Sequence, residues 1–276
     1  MKNDHSVEKI EIKPFLKWAG GKRWLIAKHD ELLPDNFRNY YEPFLGSGAV
    51  FFYLQPGKSV LADVNQELID TYSAIKQDWQ RVQDCLMTHH RNHSTEYFYR
   101  LRQQKPRTDH TKAARLIYLN RTCWNGLYRV NLQGTFNVPI GTKVNVISDE
   151  DRYDQTSMLL KNANLLRSDF EAVVDKAGQN DFLFVDPPYT VKHNYNGFIK
   201  YNENLFAWED QVRLRDALVR AAARGARFLM TNASHRSVKA LYRDYFQMIV
   251  VERSSVISGS NSGRGTYEEL LVHHGI

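Results

Sequence analysis

Phe182-Leu183-Phe184-Val185 is an apolar run without alternation, and it stops at Asp186-Pro187-Pro188-Tyr189. An uninterrupted run of this kind is what a strand covered on both faces requires, so it points to the interior of a parallel sheet flanked by helices. Two successive prolines offer no N–H to a ladder, so the strand ends there and φ is fixed as the chain leaves it. Ligands of open α/β sheets lie at the carboxyl ends of strands. Asp186, Pro187 and Tyr189 are therefore the leading candidates for chemistry. A carboxylate, a rigid carbonyl and an aromatic wall make an acceptor surface for a planar ring that bears an exocyclic amino group. Read without a ligand, the same residues are a strand closed by a proline turn, with Asp186 in solvent.

Both ends of the chain repeat the strand-turn-helix pattern. Tyr40-Tyr41-Glu42, Ser59–Ala62, Arg227–Thr231, Met248–Glu252 and Glu268–Val272 read as further strands. Leu68, Ile69, Tyr72 and Ile75 share one helical face, and Trp208–Ala223 repeats Leu214, Leu218 and Ala222 before the stop at Gly225. A shorter helix is expected near Ser237–Tyr242. The middle differs: it is rich in His, Arg, Gln, Asn and Tyr and has no buried-strand run. Thr95–Arg102 and Thr111–Leu119 read as helices, and two alternating runs flanking Gln133-Gly134 signal a hairpin. The expected architecture is an α/β domain formed by residues 1–65 and 150–276. It is split by an inserted, mainly helical and polar domain, residues 66–149, that carries the hairpin.

Composition narrows the class. With 42% apolar side chains in 276 residues the chain has material for a real core, which excludes wholesale disorder. The net charge of +6 makes a polyanion a reasonable partner. Cys85 and Cys123 form neither a disulfide framework nor a CxxC site, and the pairs His89-His90 and His273-His274 lack a ligand set at metal spacing, so no metal is expected. The N-terminus has no apolar signal core, and no apolar stretch approaches the roughly 20 residues that span a bilayer. A soluble cytoplasmic protein is expected.

Two further segments can bind ligands. Glu42-Pro43-Phe44-Leu45-Gly46-Ser47-Gly48 is a glycine-rich turn after a strand, and Asp63 ends the next strand, where a carboxylate commonly takes ribose hydroxyls. The third glycine of the dinucleotide fingerprint is missing, as is a Walker A sequence, so a nucleoside cofactor without a pyrophosphate suits the pattern better than NAD or ATP. Phe15-Leu16-Lys17-Trp18-Ala19-Gly20-Gly21-Lys22 can cradle an adenine or a carboxylate, or equally cap a helix over a packed Trp. The Ser/Gly stretch from Arg253 to Arg264 suits phosphate oxygens, or is a plain hairpin loop.

The ordered set FLKWAGGK, EPFLGSG, LADVN, SDF and VDPPY, with RTCWNGLYRVNLQGTFNVP between its halves, resembles the Dam-type DNA adenine-N6 methyltransferases. The likeness runs from about Pro14 to Val272. It implies a Rossmann-like S-adenosylmethionine-dependent methyltransferase sheet, with a target-recognition domain between the cofactor half and the catalytic half. By this resemblance Trp18, Lys22, Gly46 and Gly48 line the cofactor pocket, Asp63 takes the ribose, and Asp169 and Phe170 hold the cofactor adenine. Asp186 and the Pro187 carbonyl accept from N6 of the target adenine, and Tyr189 stacks on it. A carboxylate turned away from that pocket, or engaged in a buried ion pair, would contradict this role.

The resemblance also implies double-stranded DNA as the partner, a monomer, and GATC as the target. Lys17 and Arg129 contact guanine, and Leu127 and Pro139 touch a thymine methyl. Trp124 and Asn125 wedge into the stack, and Ser254 and Arg264 touch the backbone. Without DNA, Trp124 reads as a core aromatic and Arg129 as a phosphate contact or a solvated charge. His193–Lys200 departs from the Ser/Thr-rich form of the best-known members, which leaves open what closes over the flipped base. Other readings on the same scaffold are cytosine-N4 methylation, RNA adenine methylation, and a DNA-binding module without catalysis. Glutamine methylation goes with an Asn at position 186.

Overall fold

The computed structural model describes residues 10–131, 133–191, 206–254 and 266–276. Its strands are β1 (Tyr40–Glu42), β2 (Ser59–Asp63), β3 (Ala163–Arg167), β4 (Phe182–Val185), β5 (Arg227–Ala233), β6 (Gln247–Ser254) and β7 (Thr266–His274). Among the described residues these form one sheet in the order β3-β2-β1-β4-β5-β7-β6. The first five pair in parallel, and β7 runs antiparallel between β5 and β6. The order reverses at β1, which has β2 on one side and β4 on the other, and the carboxyl ends beside such a switch point are where open α/β sheets bind ligands. The helices are α1 (Arg23–His29), α2 (Ala49–Leu54), α3 (Gln66–Arg91), α4 (Thr95–Gln103), α5 (Asp109–Thr122), α6 (Tyr153–Leu160), α7 (Phe170–Val174), α8 (Trp208–Ala223) and α9 (Arg236–Tyr242). None of them is long and apolar enough to cross a membrane.

The strand at Phe182–Val185 has all four residues buried, as its composition demands. β3 has no counterpart among the expected strands. Asn164 and Arg167 interrupt its apolar run and only Ala163 is buried, so its pairing with β2 rather than its own pattern makes it a strand.

Two compact units divide the chain. One takes in residues up to Gly21, Ser47–Gln55 and Asp70–Lys161; the other takes in Lys22–Gly46, Pro56–Ile69 and the residues from Asn162 onward. The second unit holds the whole sheet. Leu183, Val185, Phe228, Met230, Leu270 and Val272 present one apolar face, and Phe170, Val173 and Val174 of α7, Leu214, Ala217, Leu218 and Ala221 of α8, and Val238 and Tyr242 of α9 pack on it. Because side chains alternate along a strand, Asp186, Thr231 and Glu269 fall on the opposite face.

The first unit is mainly helical. Its core gathers Phe98, Leu116 and Tyr118, with Phe15 against Phe52, Tyr72 and Tyr153. α3 kinks at Asp78, which leaves helical geometry (φ −154°, ψ 73°) and accepts from the Arg81 N–H at 3.2 Å. Arg121 is buried and satisfied: it donates to both Asp151 oxygens (2.7 and 2.6 Å) and to the carbonyls of Phe15 and Val146. The expected hairpin is present as a tight turn rather than two strands. Val130 and Phe136 form a single bridge, flanked by the Asn131 N–H to the Thr135 carbonyl and the Asn137 N–H to the Arg129 carbonyl, and the Asn131 side chain holds the turn by accepting from the N–H groups of Gln133 and Thr135.

In the sheet unit, Asp181 ties the starts of β1, β4 and β5 together. Its fully buried carboxylate accepts from Arg38 Nε and Nη2 (3.0 and 2.9 Å), Asn39 Nδ2 (2.8 Å) and the Gly178 N–H, while its carbonyl accepts from the Arg227 N–H. Burial pushes this carboxyl up, but the bonds from Arg38, Gly178 and Asn39 outweigh it, and the group lies below the usual carboxylate range. Asp181→Asn is expected to lower stability by about 2 kcal/mol in urea unfolding at about pH 7. The folded carboxyl holds its proton less readily than the unfolded one, so its contribution is present above about pH 4 and is lost as pH falls through the folded value. The gap between wild type and variant should narrow below about pH 4; a gap that stays constant contradicts this.

Candidate active site

The turn after β1 brings the first carboxylate into place. The Leu45 N–H donates to the Ala62 carbonyl (2.9 Å), which lays the turn against β2. Gly46 (φ +48°) donates its N–H to Asp63 Oδ2 at 3.2 Å, and Asn65 donates to Asp63 Oδ1 at 2.9 Å. Burial raises the Asp63 pKa, and the N–H groups of Asn65, Gly46 and Val64 partly offset it. With Glu42 also buried at the end of β1, this side of the switch point is acidic. Such a lining suits hydroxyl groups and a cationic sulfonium and repels phosphates, so the residues present fit a nucleoside cofactor that carries no pyrophosphate. In the other unit, Gly48 (φ +63°) precedes α2 and its carbonyl accepts from Phe52.

Asp186 stands one residue beyond β4 and is not alone. Lys22, at the start of α1, places Nζ 2.9 Å from Asp186 Oδ2, and the Lys22 side chain is 3% exposed against 20% for Asp186. Thr231 of β5 donates its hydroxyl to Asp186 Oδ1 at 2.6 Å. Burial raises the Asp186 pKa and the Glu269 charge adds to it, while Lys22 and Thr231 favour the ionised form. This is the ion pair that the sequence reading set against an acceptor role for Asp186, and that criterion is corrected: Asp186 keeps 20% exposure, and the pair engages one oxygen only. A charge at the end of a fully buried strand needs a counter-charge, and Lys22 provides it instead of standing apart. An ionised carboxylate has about four lone-pair sites, so one bond to each oxygen leaves acceptor capacity on both. Pro187, buried, follows directly.

Tyr189 completes the cluster. Its hydroxyl donates to Glu269 Oε2 of β7 at 2.8 Å, and the Lys22 ammonium lies 5.3 Å from its ring centre. Burial, followed by the charges of Asp186 and Glu269, raises the phenol pKa far above its ordinary value, so it stays a proton donor. Thr231 and Glu269 escaped the reading of the sequence. An acidic residue beside the apolar Leu270-Leu271-Val272 run is the one signal that could have marked Glu269.

Asp169 and Phe170 stand beyond β3. The Asp169 side chain caps α7, accepting from the Glu171 N–H at 3.0 Å, and its Oδ1 also takes Arg213 Nη2 at 2.9 Å. The Phe170 ring is buried, stacked on Phe44 at 5.4 Å and tilted against Phe206, with the Arg213 guanidinium 4.9 Å from its centre. These contacts make it part of the core. No group of three or more His, Cys, Asp or Glu among the described residues could hold a metal ion.

In the first unit a short exposed segment collects the other candidates. The Trp124 N–H donates to the Pro139 carbonyl (2.9 Å), and Cys123 pairs with Ile140, so the two ends of the segment lie together. Trp124 is 52% and Leu127 37% exposed, which excludes the core-aromatic reading of Trp124. Asn125 (φ +55°), Arg129 and Pro139 are exposed as well, and Arg129 Nε donates to Asn137 Oδ1 at 2.9 Å. Lys17 packs over Gly126: a Cβ there would meet Lys17 Cδ at 2.5 Å, and φ of +66° already disfavours any other residue. Asn120 locks the Lys17 backbone by accepting its N–H and donating to its carbonyl, both at 2.8 Å. Burial and the neighbouring Lys143 push the Lys17 ammonium down to about 8. Trp18 stacks on Tyr128 (5.1 Å, 22°). Ser254 ends β6, and Arg264 and His193–Lys200 lie outside the described residues.

Comparison with known proteins supplies the class. Residues 18–257 match the family model of the D12 class N6 adenine-specific DNA methyltransferases. The chain is 36% identical over 273 residues to the type II methyltransferase M1.LlaDCHI of Lactococcus lactis subsp. cremoris, covering 96% of each. It is 34% identical to the type II methyltransferase M.MjaIII of Methanocaldococcus jannaschii, over 96% of this chain and all of that one. It is 32% identical to the DNA adenine methylase of Serratia marcescens, over 94% and 97%. The readings as a cytosine-N4 enzyme, an RNA enzyme or an inactive binding module give way to this evidence. The chain belongs to the D12 class N6 adenine-specific DNA methyltransferases.

Proposed function

We propose that the enzyme transfers the methyl group of S-adenosylmethionine to N6 of an adenine extruded from double-stranded GATC, acting as a cytoplasmic monomer. The observation that carries this reading is the Asp186 carboxylate beside the switch point at β1 and β4, polarised by Lys22 and Thr231 with Tyr189 next to it. We assign catalysis to residues 1–65 and 150–276 and target reading to residues 66–149 together with Lys17.

When bound, S-adenosylmethionine supplies an electrophilic methyl group on a sulfonium. Asp63 accepts the ribose hydroxyls, the turn at Gly46 and Gly48 gives the backbone room, Trp18 lines the pocket, and Asp169 and Phe170 hold the adenine. Lys22 serves this pocket through Asp186. The amine of adenine is a weak nucleophile because its lone pair is spread into the ring. Asp186 and the Pro187 carbonyl accept hydrogen bonds from its two N–H groups, which favours a pyramidal nitrogen with a localised pair, Tyr189 holds the ring by stacking, and N6 gives up one proton once it carries the methyl group. Positioning and fixed charges supply most of the rate.

Extrusion costs a few kcal/mol of stacking, and the exposed Trp124 and Asn125 are suited to fill the gap. Arg129, fixed by Asn137, and Lys17 serve guanines, Leu127 and Pro139 thymine methyls, and Ser254 and Arg264 phosphates.

Asp186→Ala is expected to cut methyl transfer by at least ~1000-fold while cofactor and DNA affinities stay within a few-fold. Tritiated-methyl transfer and filter binding on one GATC duplex measure both; a loss of DNA affinity that matches the loss of rate would refute the role. Arg129→Ala should cost ~1–3 kcal/mol of discrimination at a single guanine in a panel of singly substituted duplexes. Equal weakening across the panel would instead mark a phosphate contact.

A further inference from the structure

The tyrosine beside Asp186 lacks the support that a strand residue enjoys. Pro187 and Pro188 have no N–H to give to a neighbouring strand, so the segment carrying Tyr189 leaves β4 without a ladder. Thr190 fixes the chain just beyond, donating Oγ1 to the Phe206 carbonyl at 2.6 Å. The ring itself still turns about two torsions unless its tip is held. That tip donates to Glu269, 2.8 Å from the hydroxyl, and Thr231 is a second hydrogen-bond partner of the same side chain.

Glu269 is an expensive residue for the fold at its position. It sits in β7 between Ala233 of β5 and Val251 of β6, is 4% exposed, and is followed by Leu270, Leu271 and Val272. An apolar side chain there would extend the core, whereas a buried carboxylate must be desolvated and compensated. Arg253 of β6 compensates it, donating Nη1 to Glu269 Oε1 at 2.6 Å, and its guanidinium lies 5.9 Å from the Trp24 ring of α1. One carboxylate oxygen therefore faces the arginine and the other faces the phenol. The Arg253 pair links β6 to β7, and the second oxygen of Glu269 accepts from Tyr189.

We infer that Glu269, backed by Arg253, is a positioning residue that fixes the plane of the Tyr189 ring against the target adenine. The inference rests on the stacking role proposed above for Tyr189. Glu269 touches neither adenine nor methyl donor. It acts by removing the rotational freedom of the ring before the base arrives, so that stacking costs less order and N6 is delivered in line with Asp186.

The test uses the full-length enzyme on a GATC duplex, with variants Tyr189→Ala, Tyr189→Phe, Glu269→Ala and Glu269→Gln. Tyr189→Phe and Glu269→Ala should each lower kcat about tenfold to a hundredfold, with the KM for S-adenosylmethionine within about twofold. The double variant Tyr189→Phe/Glu269→Ala should be no slower than the slower single one, because both remove the same bond. Glu269→Gln, which keeps an acceptor for the phenol, should recover most of the loss. With 2-aminopurine at the target position, Glu269→Ala and Tyr189→Phe should shift the flipped-base fluorescence in the same way. Multiplicative losses in the double variant, or a full rate for Tyr189→Phe while Tyr189→Ala is inactive, would overturn the inference and leave the stacking role intact. A full rate for Tyr189→Ala would overturn the stacking role and the inference with it. Where Glu269→Ala fails to fold, Tyr189→Phe and Glu269→Gln decide the matter.

Discussion

A carboxylate placed one residue beyond a completely buried strand has to be neutralised by something, and here it is Lys22, 2.9 Å away and almost wholly out of water. Much of the sheet unit follows from that pair. The start of α1 must reach the end of β4, and Thr231 must face the same side of the sheet, since it donates to the other oxygen. The alternation of β5 secures the second condition by sending Phe228 and Met230 into the core beneath α7, α8 and α9. The result is a carboxylate held from both sides that keeps acceptor capacity on each oxygen. That is the property an amino group with a delocalised lone pair calls for, because it must be oriented before it reacts.

How much of this the sequence reveals depends on the range of the interaction. The Phe182–Val185 strand is legible because burial on both faces leaves a continuous apolar mark, and Asp186, Pro187 and Tyr189 are legible because they adjoin it. Lys22 is legible as a functional residue, but its partner is not, since nothing local ties it to a carboxylate 164 positions away (186 − 22 = 164). Thr231 and Glu269, 45 and 80 positions from the residues they hold, carry almost no local sign. β3 is invisible for a related reason: its strand character comes from β2 and not from its own residues.

The mainly helical unit shows the complementary pattern. Its candidates came from one short stretch, and the chain gathers them because Cys123 pairs with Ile140 and Trp124 bonds to Pro139. Trp124, 52% exposed, stands next to Asn125 with its positive φ, so both side chains are held at the surface of this unit. Gly126 is the hinge of that arrangement, as its missing side chain is the space in which Lys17 lies. The hairpin, by contrast, is shorter than its alternation implies: pairing stops at the Val130–Phe136 bridge, and the Asn131 side chain holds the turn inside it.

The proposed chemistry requires Asp186, while still held by Lys22 and Thr231, to take the amino group of the target base. A crystal structure with S-adenosylhomocysteine and a GATC duplex tests it most directly. An adenine outside the helix is expected, with N6 about 3 Å from an Asp186 oxygen and the Tyr189 ring against its face. An adenine whose N6 is held by other groups, with the carboxylate occupied by Lys22 and Thr231 alone, would contradict it.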